Sequence, residues 1–529
     1  MTNSPEMVFV IYALAKLGAA PALINSNLKG DPLQYCTNLA GSKYIICSPD
    51  TVQSALTLPA TAASECPGQG LVVVDFGSFP RSEKPDGQVI SITPSDPHHG
   101  REVAKAKRRP IDIAALVYTS GTTGMPKACS VKNMHMCIVS TPTTPDTDKP
   151  KYYFPVRTYT SMPLFHGTSL FTGLCYSVGT SGALCLGRKF SATRHFEEIR
   201  RSRATRMLYV GELCRYLLAQ PPSPHDRGHG CIVAMGNGLQ KDVWMNFKKR
   251  FGIPEIREFY RSTEGLAKYD NRHLHNKFGA GYVGYKGLVR RWLEDDCFII
   301  KFDEASQQPY RDRRTGFCVP ASPNEPGEAI GRIRSLATYT DYLHNQDATD
   351  AKILRNVFAD GDMFQRSGDL VIQDRWGWIR FYDRVGDTFR WKGENVSAGE
   401  IAGYISDMPE VLEAIVVGRK MDGYDGQMGT AAVALTQLSK DAEVAFVGKL
   451  PGVFKHRGVP QYAVPRLLAM VDRLDVGASF KHDKQIWKKE QWDPAEPSQA
   501  SSRYWLDGDT YRVLDGAAWM KIQNGLAKL

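Results

Sequence analysis

The distribution of apolar positions divides this chain into two parts. Between about residue 150 and residue 380, apolar runs of strand length alternate with amphipathic segments, most clearly at 182–186, 206–210 and 231–235. Strands that alternate with helices are typical of a mostly parallel sheet with helices on its faces. The pattern therefore predicts a large α/β domain in the first part of the chain.

The pattern changes near residues 384–387, and the remainder predicts a smaller α+β domain. Strand-like runs at 414–417 and 431–435 follow the change, and no internal repeat is visible. A chain of 529 residues is too long for one simple hydrophobic core. We therefore predict two domains, residues 1–385 and residues 386–529.

The apolar stretch at residues 7–24 predicts a core helix followed by a turn, rather than a membrane span or a signal peptide. Lys16 and Pro21 interrupt the stretch, and no basic segment precedes it. Ser4 is a favourable N-cap residue, and Pro5 is favourable at the first helical position. A helix is therefore expected to begin at Pro5.

The composition favours a globular protein in a reducing compartment. Apolar residues make up 42% of the chain, and its 11 cysteines form no Cys-x-x-Cys pair, which argues against a zinc site or a disulfide framework. The net charge of +10 favours anionic partners such as nucleotides, CoA or a membrane surface. The basic run at 105–109 lacks neighbouring aromatic residues, so we expect a solvated loop there and no nucleic acid partner. Residues 140–150 are rich in threonine and proline and predict an exposed loop.

The most informative stretch is Tyr118-Thr-Ser-Gly-Thr-Thr-Gly-Met-Pro-Lys127, which follows an apolar run at 111–118. The apolar run predicts a buried strand, and α/β proteins hold nucleotides in loops at strand ends. Backbone N–H groups, hydroxyls and a lysine charge can together hold a phosphate. The spacing excludes the Walker pattern, since no Ser or Thr follows Lys127, and a flexible Gly/Thr linker is the alternative. The candidate phosphate-binding residues are Thr119, Ser120, Gly121, Thr122, Thr123, Gly124 and Lys127.

Further motifs follow in an order that resembles the adenylate-forming enzymes, which include the acyl-CoA synthetases. These motifs are Gly236-Asn-Gly238, Phe259-Tyr-Arg-Ser-Thr-Glu-Gly265, Ser367-Gly-Asp-Leu370 and Asp383-Arg-Val-Gly-Asp387. Each motif alone is common in turns and at helix starts, so the resemblance depends on their order.

Longer stretches resemble one branch of that superfamily, the fatty acid transport proteins and very-long-chain acyl-CoA synthetases. They lie at 209–218, 236–244, 383–396 and 462–466, and the resemblance extends from about residue 3 to the C-terminus. It implies a large multi-subdomain adenylation domain and a small mobile C-terminal domain. It also implies an AMP-forming acid–thiol ligase that uses ATP, Mg²⁺ and CoA.

The resemblance further implies roles for residues of the ATP site. Tyr260 would pack on the adenine, because a flat base favours an aromatic partner. Thr263 would contact the α-phosphate, and Glu264 would hold Mg²⁺, since a hard cation favours carboxylate oxygen. Asp369 would bind both ribose hydroxyls, and Arg384 would contact the ribose or a phosphate. The loop expected beside the adenine consists of Gly236, Asn237 and Gly238.

The resemblance assigns the remaining chemistry largely to the smaller domain. Lys481 is the candidate that bridges the acyl carboxylate and the α-phosphate, with Lys484 as the alternative. Residues 476–479 depart from the Thr-Thr-Gly-Thr-like run expected before this lysine. Gly386 would act as the hinge of a domain rotation between the two half-reactions, since glycine tolerates large backbone changes.

That rotation would bring Lys392 and Gly393 to the site of thioester formation. In the large domain, His166 matches the residue that gates the acyl or pantetheine tunnel in relatives. A purely structural histidine is the alternative interpretation of His166.

The expected function is an ATP-dependent ligase that joins a long- or very-long-chain fatty acid to CoA through an acyl adenylate. One alternative is a CoA ligase for a secondary-metabolite carboxylic acid. Another is a truncated lipid-uptake or lipid-binding protein with impaired catalysis, because family members carry a further segment before residue 3.

The C-terminal Ala527-Lys528-Leu529 resembles the Ser-Lys-Leu peroxisomal address, so a peroxisomal import receptor is an expected partner. The cytoplasm or contact with an organelle membrane surface are the alternative locations.

Overall fold

The computed structural model describes residues 1–58, 70–74, 89–92, 107–119, 125–273, 278–303, 306–392, 394–424, 426–474 and 484–527. Several predicted site residues lie outside these ranges and keep only their sequence-based assignments. They are Ser120, Gly121, Thr122, Thr123, Gly124, Gly393, Lys481, Lys528 and Leu529.

Helices occur throughout the described part of the chain. The α-helices are α1 (Pro5–Lys16), α2 (Gly30–Ala40), α3 (Val52–Leu56), α4 (Asn133–Val139), α5 (Thr144–Asp148), α6 (Pro150–Tyr153), α7 (Tyr176–Gly179), α8 (His195–Arg201), α9 (Gly211–Ala219), α10 (Lys241–Phe251), α11 (Leu288–Leu293), α12 (Gln346–Asp350), α13 (Ala398–Ser406), α14 (Lys440–His456), α15 (Lys484–Lys489) and α16 (Gly516–Gln523). A π-helix spans Thr168–Cys175, and 3₁₀ turns span Pro224–Asp226, Leu336–Thr338 and Gln461–Ala463.

The strands belong to several separate sheets. They are β1 (Ala22–Leu23), β2 (Tyr44–Cys47), β3 (Gly70–Val74), β4 (Val89–Ile92), β5 (Ile113–Thr119), β6 (Lys127–Lys132), β7 (Arg157–Thr160), β8 (Ala183–Leu186), β9 (Arg206–Val210), β10 (Val233–Asn237), β11 (Glu255–Tyr260), β12 (Tyr269–His273), β13 (Gly284–Tyr285), β14 (Cys297–Asp303), β15 (Gln308–Pro309), β16 (Pro326–Arg332), β17 (Ile353–Arg355), β18 (Met363–Gln373), β19 (Trp378–Arg384), β20 (Phe389–Trp391), β21 (Glu394–Val396), β22 (Val411–Lys420), β23 (Gln427–Leu435), β24 (Leu467–Val471), β25 (Ser502–Asp507) and β26 (Thr510–Val513).

The chain divides into two compact units. The first contains Met1–Gly284 and Gly331–Ser367, and the second contains Tyr285–Ile330 and Gly368–Leu529. The division at 385/386 stays a prediction from the sequence, and residue 386 falls within the second unit.

The largest sheet of the first unit has the order β12-β11-β10-β9-β7-β8. Strands β8, β7, β9, β10 and β11 run parallel, and only β12 is antiparallel to its neighbour. The three apolar runs predicted at 182–186, 206–210 and 231–235 form β8, β9 and β10, which confirms those predictions and the α/β fold class. Since parallel strands end at the same edge of a sheet, the loops that follow them converge there, as ligand-binding loops do in open α/β sheets.

A smaller sheet of the first unit, with the order β1-β5-β6, carries the predicted phosphate loop. The apolar run at 111–118 forms β5, as predicted. The helix expected at Pro5 is confirmed as α1, and the Ser4 hydroxyl accepts from Met7 N at its N-terminus. In the described residues, α1 and every other helix fall short of the length and apolarity needed to cross a membrane.

The prediction of an exposed loop at 140–150 is wrong for Thr144–Asp148. Residues Thr144–Asp148 form α5, and the side chain of Asp146 is fully buried. Arg206 and Arg257 donate hydrogen bonds to its carboxylate at 3.0 and 2.7 Å. The local sequence is polar, but two arginines from distant strands neutralise its charge and permit its burial.

In the second unit, the described residues include two larger sheets and the two-stranded sheet β20-β21. Strands follow the order β19-β18-β16-β14-β15 in one sheet and β22-β23-β24-β25-β26 in the other. The runs predicted as strands at 414–417 and 431–435 lie in β22 and β23. Helices α13 and α14 pack with these strands in one buried cluster that includes Ile401 and Phe446.

Candidate active site

The predicted phosphate loop begins and ends on two hydrogen-bonded strands. Thr119 at the end of β5 is the Cα partner of Lys127 at the start of β6. The pairing fixes both ends of the segment 120–126, although residues 120–124 themselves lie outside the described ranges. The Lys127 ammonium group lies 5.3 Å from the centre of the Tyr342 ring, within the range of a cation–π contact.

Glu264 lies in the same cluster as Lys127. Tyr342 Oη donates to Glu264 Oε1 at 2.9 Å, and Cys129 Sγ lies 4.0 Å from Glu264 Oε2. Burial, with a smaller contribution from Glu264, raises the pKa of the Cys129 thiol far above its usual range. The thiol is therefore neutral.

The backbone of Glu264 is also held. Gln365 Nε2 donates to Glu264 O at 3.0 Å, and Leu266 N donates to Gln365 Oε1 at 2.6 Å. The Gln365 side chain is buried, so solvent does not compete for these bonds. Sequence analysis missed both Tyr342 and Gln365, because each acts through a long-range contact that no local motif marks.

Gly167, which follows the predicted His166, lies close to Thr263. A Cβ added at Gly167 would come within 3.2 Å of Thr263 Oγ1 and of the Phe171 ring, so glycine permits this close approach. Thr168 N donates to His166 Nδ1 at 3.4 Å. The π-helix Thr168–Cys175 follows at once, and such wide turns are frequent at functional sites.

The loop expected beside the adenine depends on backbone contacts that only glycine allows. A Cβ at Gly236 would lie 2.0 Å from Tyr209 O, and one at Gly211 would lie 1.9 Å from Gly238 O. Gly238 has a φ of +82°, which favours glycine. The chain therefore leaves β10 in one narrow path along the end of β9.

The side chain of Glu258, which sequence analysis missed, holds the backbone of this loop. Its Oε1 accepts from the N–H groups of Gly238 and Leu239, and its Oε2 accepts from Tyr209 Oη at 2.5 Å. Burial raises the pKa of Glu258 to about 8, although these three hydrogen bonds oppose the shift. A neutral carboxyl group therefore supports the loop at neutral pH.

The raised pKa of Glu258 predicts a loss of stability with rising pH. The folded protein keeps a proton that the unfolded chain releases above its usual pKa of 4.5, so the free energy of unfolding should fall progressively between that pH and about pH 8. Glu258→Gln preserves the shape and hydrogen bonds of the neutral form and should remove this part of the pH dependence. Urea unfolding of both proteins at several pH values measures it. Parallel pH profiles for the two proteins would contradict the prediction.

The adenine side of the site offers an acceptor and an aromatic ring. Asn237 Oδ1 is buried and accepts no hydrogen bond within the part of the chain that the structure describes. An exocyclic amino group of a base is a donor suited to that position. The Tyr260 ring, at the end of β11, lies 5.8 Å from the Tyr269 ring, which supports it from behind. These features fit a purine nucleotide.

The cation expected at Glu264 would also depend on the nucleotide. Among the described residues, the structure contains no group of three His, Cys, Asp or Glu side chains able to hold a metal ion alone. Mg²⁺ commonly binds through one or two carboxylates together with substrate phosphates and water. The single carboxylate of Glu264 beside the phosphate loop fits that mode.

In the second unit, the structure brings Asp369 and Arg384 together. They are cross-strand partners in β18 and β19, with Arg384 Nε 3.6 Å from Asp369 Oδ1. Next to them, Asp383 is buried and accepts from Ser397 Oγ at 2.9 Å, and Ser397 caps α13. The ribose-binding pair predicted from sequence is therefore adjacent and fixed to the start of α13.

The predicted hinge lies just beyond this pair. Gly386 has a φ of +86°, and Lys484 Nζ donates to the neighbouring Asp387 at 2.8 Å. Burial alone would raise the pKa of Asp387, but Lys484 and Lys488 outweigh it and lower the pKa, so the carboxylate stays charged. Lys392, directly after β20, is exposed, and its ammonium group lies 5.6 Å from the centre of the Trp391 ring.

Comparisons with known proteins agree with the fold and the motifs. Residues 1–281 match a family model described as AMP-binding enzyme. The chain is 33% identical over 503 residues to long-chain fatty acid transport protein 2 of Rattus norvegicus, covering 94% of this chain and 77% of that protein. It is 32% identical over 501 residues to isopenicillin N epimerase component 1 of Hapsidospora chrysogena, covering 93% of this chain and 74% of that protein.

A solved structure shows the same fold. The crystal structure of the anthranilate CoA ligase AuaEII in complex with anthranoyl-AMP has a TM-score of 0.69 with this chain. It is 18% identical and covers 91% of this chain and 84% of that chain.

Proposed function

This chain belongs to the AMP-binding enzyme family and to its fatty acid transport protein branch, and we propose that it joins a long- or very-long-chain fatty acid to CoA through an acyl adenylate. The observation that carries the proposal is that Lys127 and Glu264 both contact the buried Tyr342. These residues are distant in the sequence, and together they supply the two charges that a MgATP site needs.

In the first step, a carboxylate oxygen of the acid attacks the α-phosphorus of ATP, and pyrophosphate leaves. Lys127 would neutralise the β- and γ-phosphates, together with the N–H groups and hydroxyls of the phosphate loop that starts at Thr119. Thr263 and Lys481 would stabilise the charge on the α-phosphate. Bound Mg²⁺, held by Glu264, would neutralise further phosphate charge. The protein mainly positions the reactants and stabilises charge.

In the second step, the CoA thiolate attacks the acyl carbonyl carbon, and the bond to the AMP oxygen breaks. Asp369 and Arg384 would keep hold of the ribose and phosphate of AMP during this step. Rotation at Gly386 would bring Lys392 and Gly393 to the thioester site, and His166 would gate the tunnel.

A second candidate substrate class is a carboxylic acid of secondary metabolism. The similarity to isopenicillin N epimerase component 1 over 93% of the chain favours it. Purified protein incubated with MgATP, CoA and single acids distinguishes the two classes. Medium-, long- and very-long-chain fatty acids form one set, and aromatic and amino-acid-derived carboxylates form the other. The fatty acid proposal predicts acyl-CoA from the long and very long chains. Turnover confined to the second set would replace it, and ATP binding without pyrophosphate release would indicate a binding protein.

We also propose that the second unit contacts a lipid surface through α11. Its apolar side chains are largely solvent-exposed, with exposed fractions of 72% at Leu288, 70% at Val289, 85% at Trp292 and 65% at Leu293. A neighbouring turn carries the exposed Trp376. Arg291 Nη2 of α11 donates to Arg375 O in this turn at 3.2 Å and so joins the two segments. Exposed tryptophan and leucine with flanking arginine is the composition of interfacial helices.

Loss of this apolar face should weaken vesicle binding. The variant Leu288→Asn with Trp292→Asn removes two buried anchors in the bound state, so its partition coefficient should fall about tenfold or more. Flotation with phosphatidylcholine vesicles, with and without phosphatidylserine, measures the change. Leu438→Asn with Val444→Asn, at exposed positions elsewhere in the unit, is the matched control. Equal flotation of the two variants would show that α11 has no special part.

A peroxisomal location through Ala527-Lys528-Leu529 completes the proposal. A fluorescent protein fused to the N-terminus should accumulate in peroxisomes and lose this location when residues 527–529 are deleted. A diffuse or membrane-bound pattern in both forms would favour the alternative locations.

A further inference from the structure

We propose that Tyr342 is a positioning residue that holds the Glu264 carboxylate and the Lys127 ammonium group in a fixed relation. The inference rests on the proposed function, because both groups would act on MgATP. Tyr342 Oη donates to Glu264 Oε1 at 2.9 Å, and the ring centre lies 5.3 Å from Lys127 Nζ. The hydroxyl of Tyr342 thus contacts the Glu264 carboxylate, and the face of its ring contacts the Lys127 ammonium group.

The backbone on both sides of Tyr342 is bonded to strand β6. Leu343 N donates to Ala128 O at 2.8 Å, and Ser130 N donates to Asp341 O at 2.9 Å. These bonds extend the sheet by one short segment, directly beside the strand that begins with the phosphate-loop lysine. These bonds fix the backbone position of Tyr342 beside β6.

The Tyr342 side chain is enclosed as well. It is buried, and its own N–H group donates to Thr349 Oγ1 at 3.1 Å. The Tyr342 hydroxyl therefore fixes Oε1 of Glu264, and the other carboxylate oxygen, Oε2, lies 4.0 Å from Cys129 Sγ.

The two contacts of Tyr342 have separable consequences. The hydroxyl restrains only the Glu264 carboxylate, so its loss should weaken the Mg²⁺-dependent part of ATP binding. The ring face restrains Lys127, so loss of the ring should weaken ATP binding even without the metal. If Tyr342 only filled space, loss of its hydroxyl would not weaken MgATP binding more than binding of ATP without the metal.

Titration calorimetry with ATP, once with excess MgCl₂ and once with EDTA, tests this separation. Tyr342→Phe keeps the ring and should lower the affinity for MgATP about tenfold, the usual effect of losing a hydrogen bond to a charged group, and leave the affinity in EDTA unchanged. Tyr342→Leu should lower both affinities. Thermal unfolding of each variant confirms that it is folded.

Tyr176→Phe is the matched control, because Tyr176 Oη donates to the buried Asp146 carboxylate in the same unit. It should alter the unfolding temperature and leave both ATP affinities unchanged. Equal losses with and without Mg²⁺ in Tyr342→Phe, or no loss, would overturn the positioning role. A wild-type protein whose ATP affinity does not depend on Mg²⁺ would overturn it too. The predicted Mg²⁺ effect in a protein that makes no acyl-CoA would instead refute only the proposed function.

Discussion

Replacement of Lys481 by alanine is expected to lower the rate of adenylate formation about a hundredfold or more, as the loss of a charge contact to a transition state typically does. In the proposed mechanism, this lysine neutralises the charge that develops between the acyl carboxylate and the α-phosphate. Acid-dependent pyrophosphate release, measured with saturating MgATP, reports this step directly.

Lys484→Ala is the control that decides between the two candidate lysines. Lys484 Nζ already donates to Asp387 at 2.8 Å, beside the expected hinge. Its removal should therefore affect the second half-reaction, in which the hinge takes part, more than pyrophosphate release. A large loss of pyrophosphate release in Lys484→Ala, with normal release in Lys481→Ala, would reverse the assignment.

Replacement of Asp146 by alanine is expected to lower the free energy of unfolding by about 3–5 kcal/mol, because it leaves the buried Arg206 without its carboxylate partner, whereas Arg257 keeps Glu255. Arg206 and Arg257 bind the two carboxylate oxygens at 3.0 and 2.7 Å. Burial alone would raise the pKa of Asp146, but hydrogen bonds from these arginines outweigh it and hold the pKa far below its usual range. The carboxylate therefore stays charged in the folded protein.

Urea unfolding of Asp146→Ala and Asp270→Ala measures this effect against a matched pair. Arg261 binds Asp270 at 2.9 Å with both side chains about half exposed, at 47% and 53%. Exposed pairs contribute roughly 0–1 kcal/mol, so the Asp270 variant should be close to wild type. Similar losses in the two variants would contradict the structural account of the buried cluster.

The sequence predicted those elements whose signals are local. Strand β9 is apolar enough to be identified as buried, and Ser4 followed by Pro5 marks the start of α1. Strand β5, which ends at Thr119, also followed from a short apolar run. In each case the residues that determine the element lie within a few positions of one another.

Long-range charge and hydrogen bonding were not predictable in this way. Residues 140–150 have the composition of a loop, but Asp146 is buried because arginines more than fifty residues away neutralise it. Tyr342, Gln365 and Glu258 support the candidate site from other elements, and no spacing in the sequence marks them. Their positions follow only from how the strands are arranged in the sheets.

The central claim is that an acyl adenylate forms before the thioester, and detection of that intermediate tests it most directly. Purified protein is incubated with MgATP and a very-long-chain fatty acid in the absence of CoA, and the products are analysed by mass spectrometry. The account predicts acyl-AMP and pyrophosphate, followed by conversion of the acyl-AMP to acyl-CoA and AMP when CoA is added. The same incubation is repeated with each fatty acid used to test the proposed function. Folded protein that binds MgATP but forms no acyl-AMP with any of them would contradict the account.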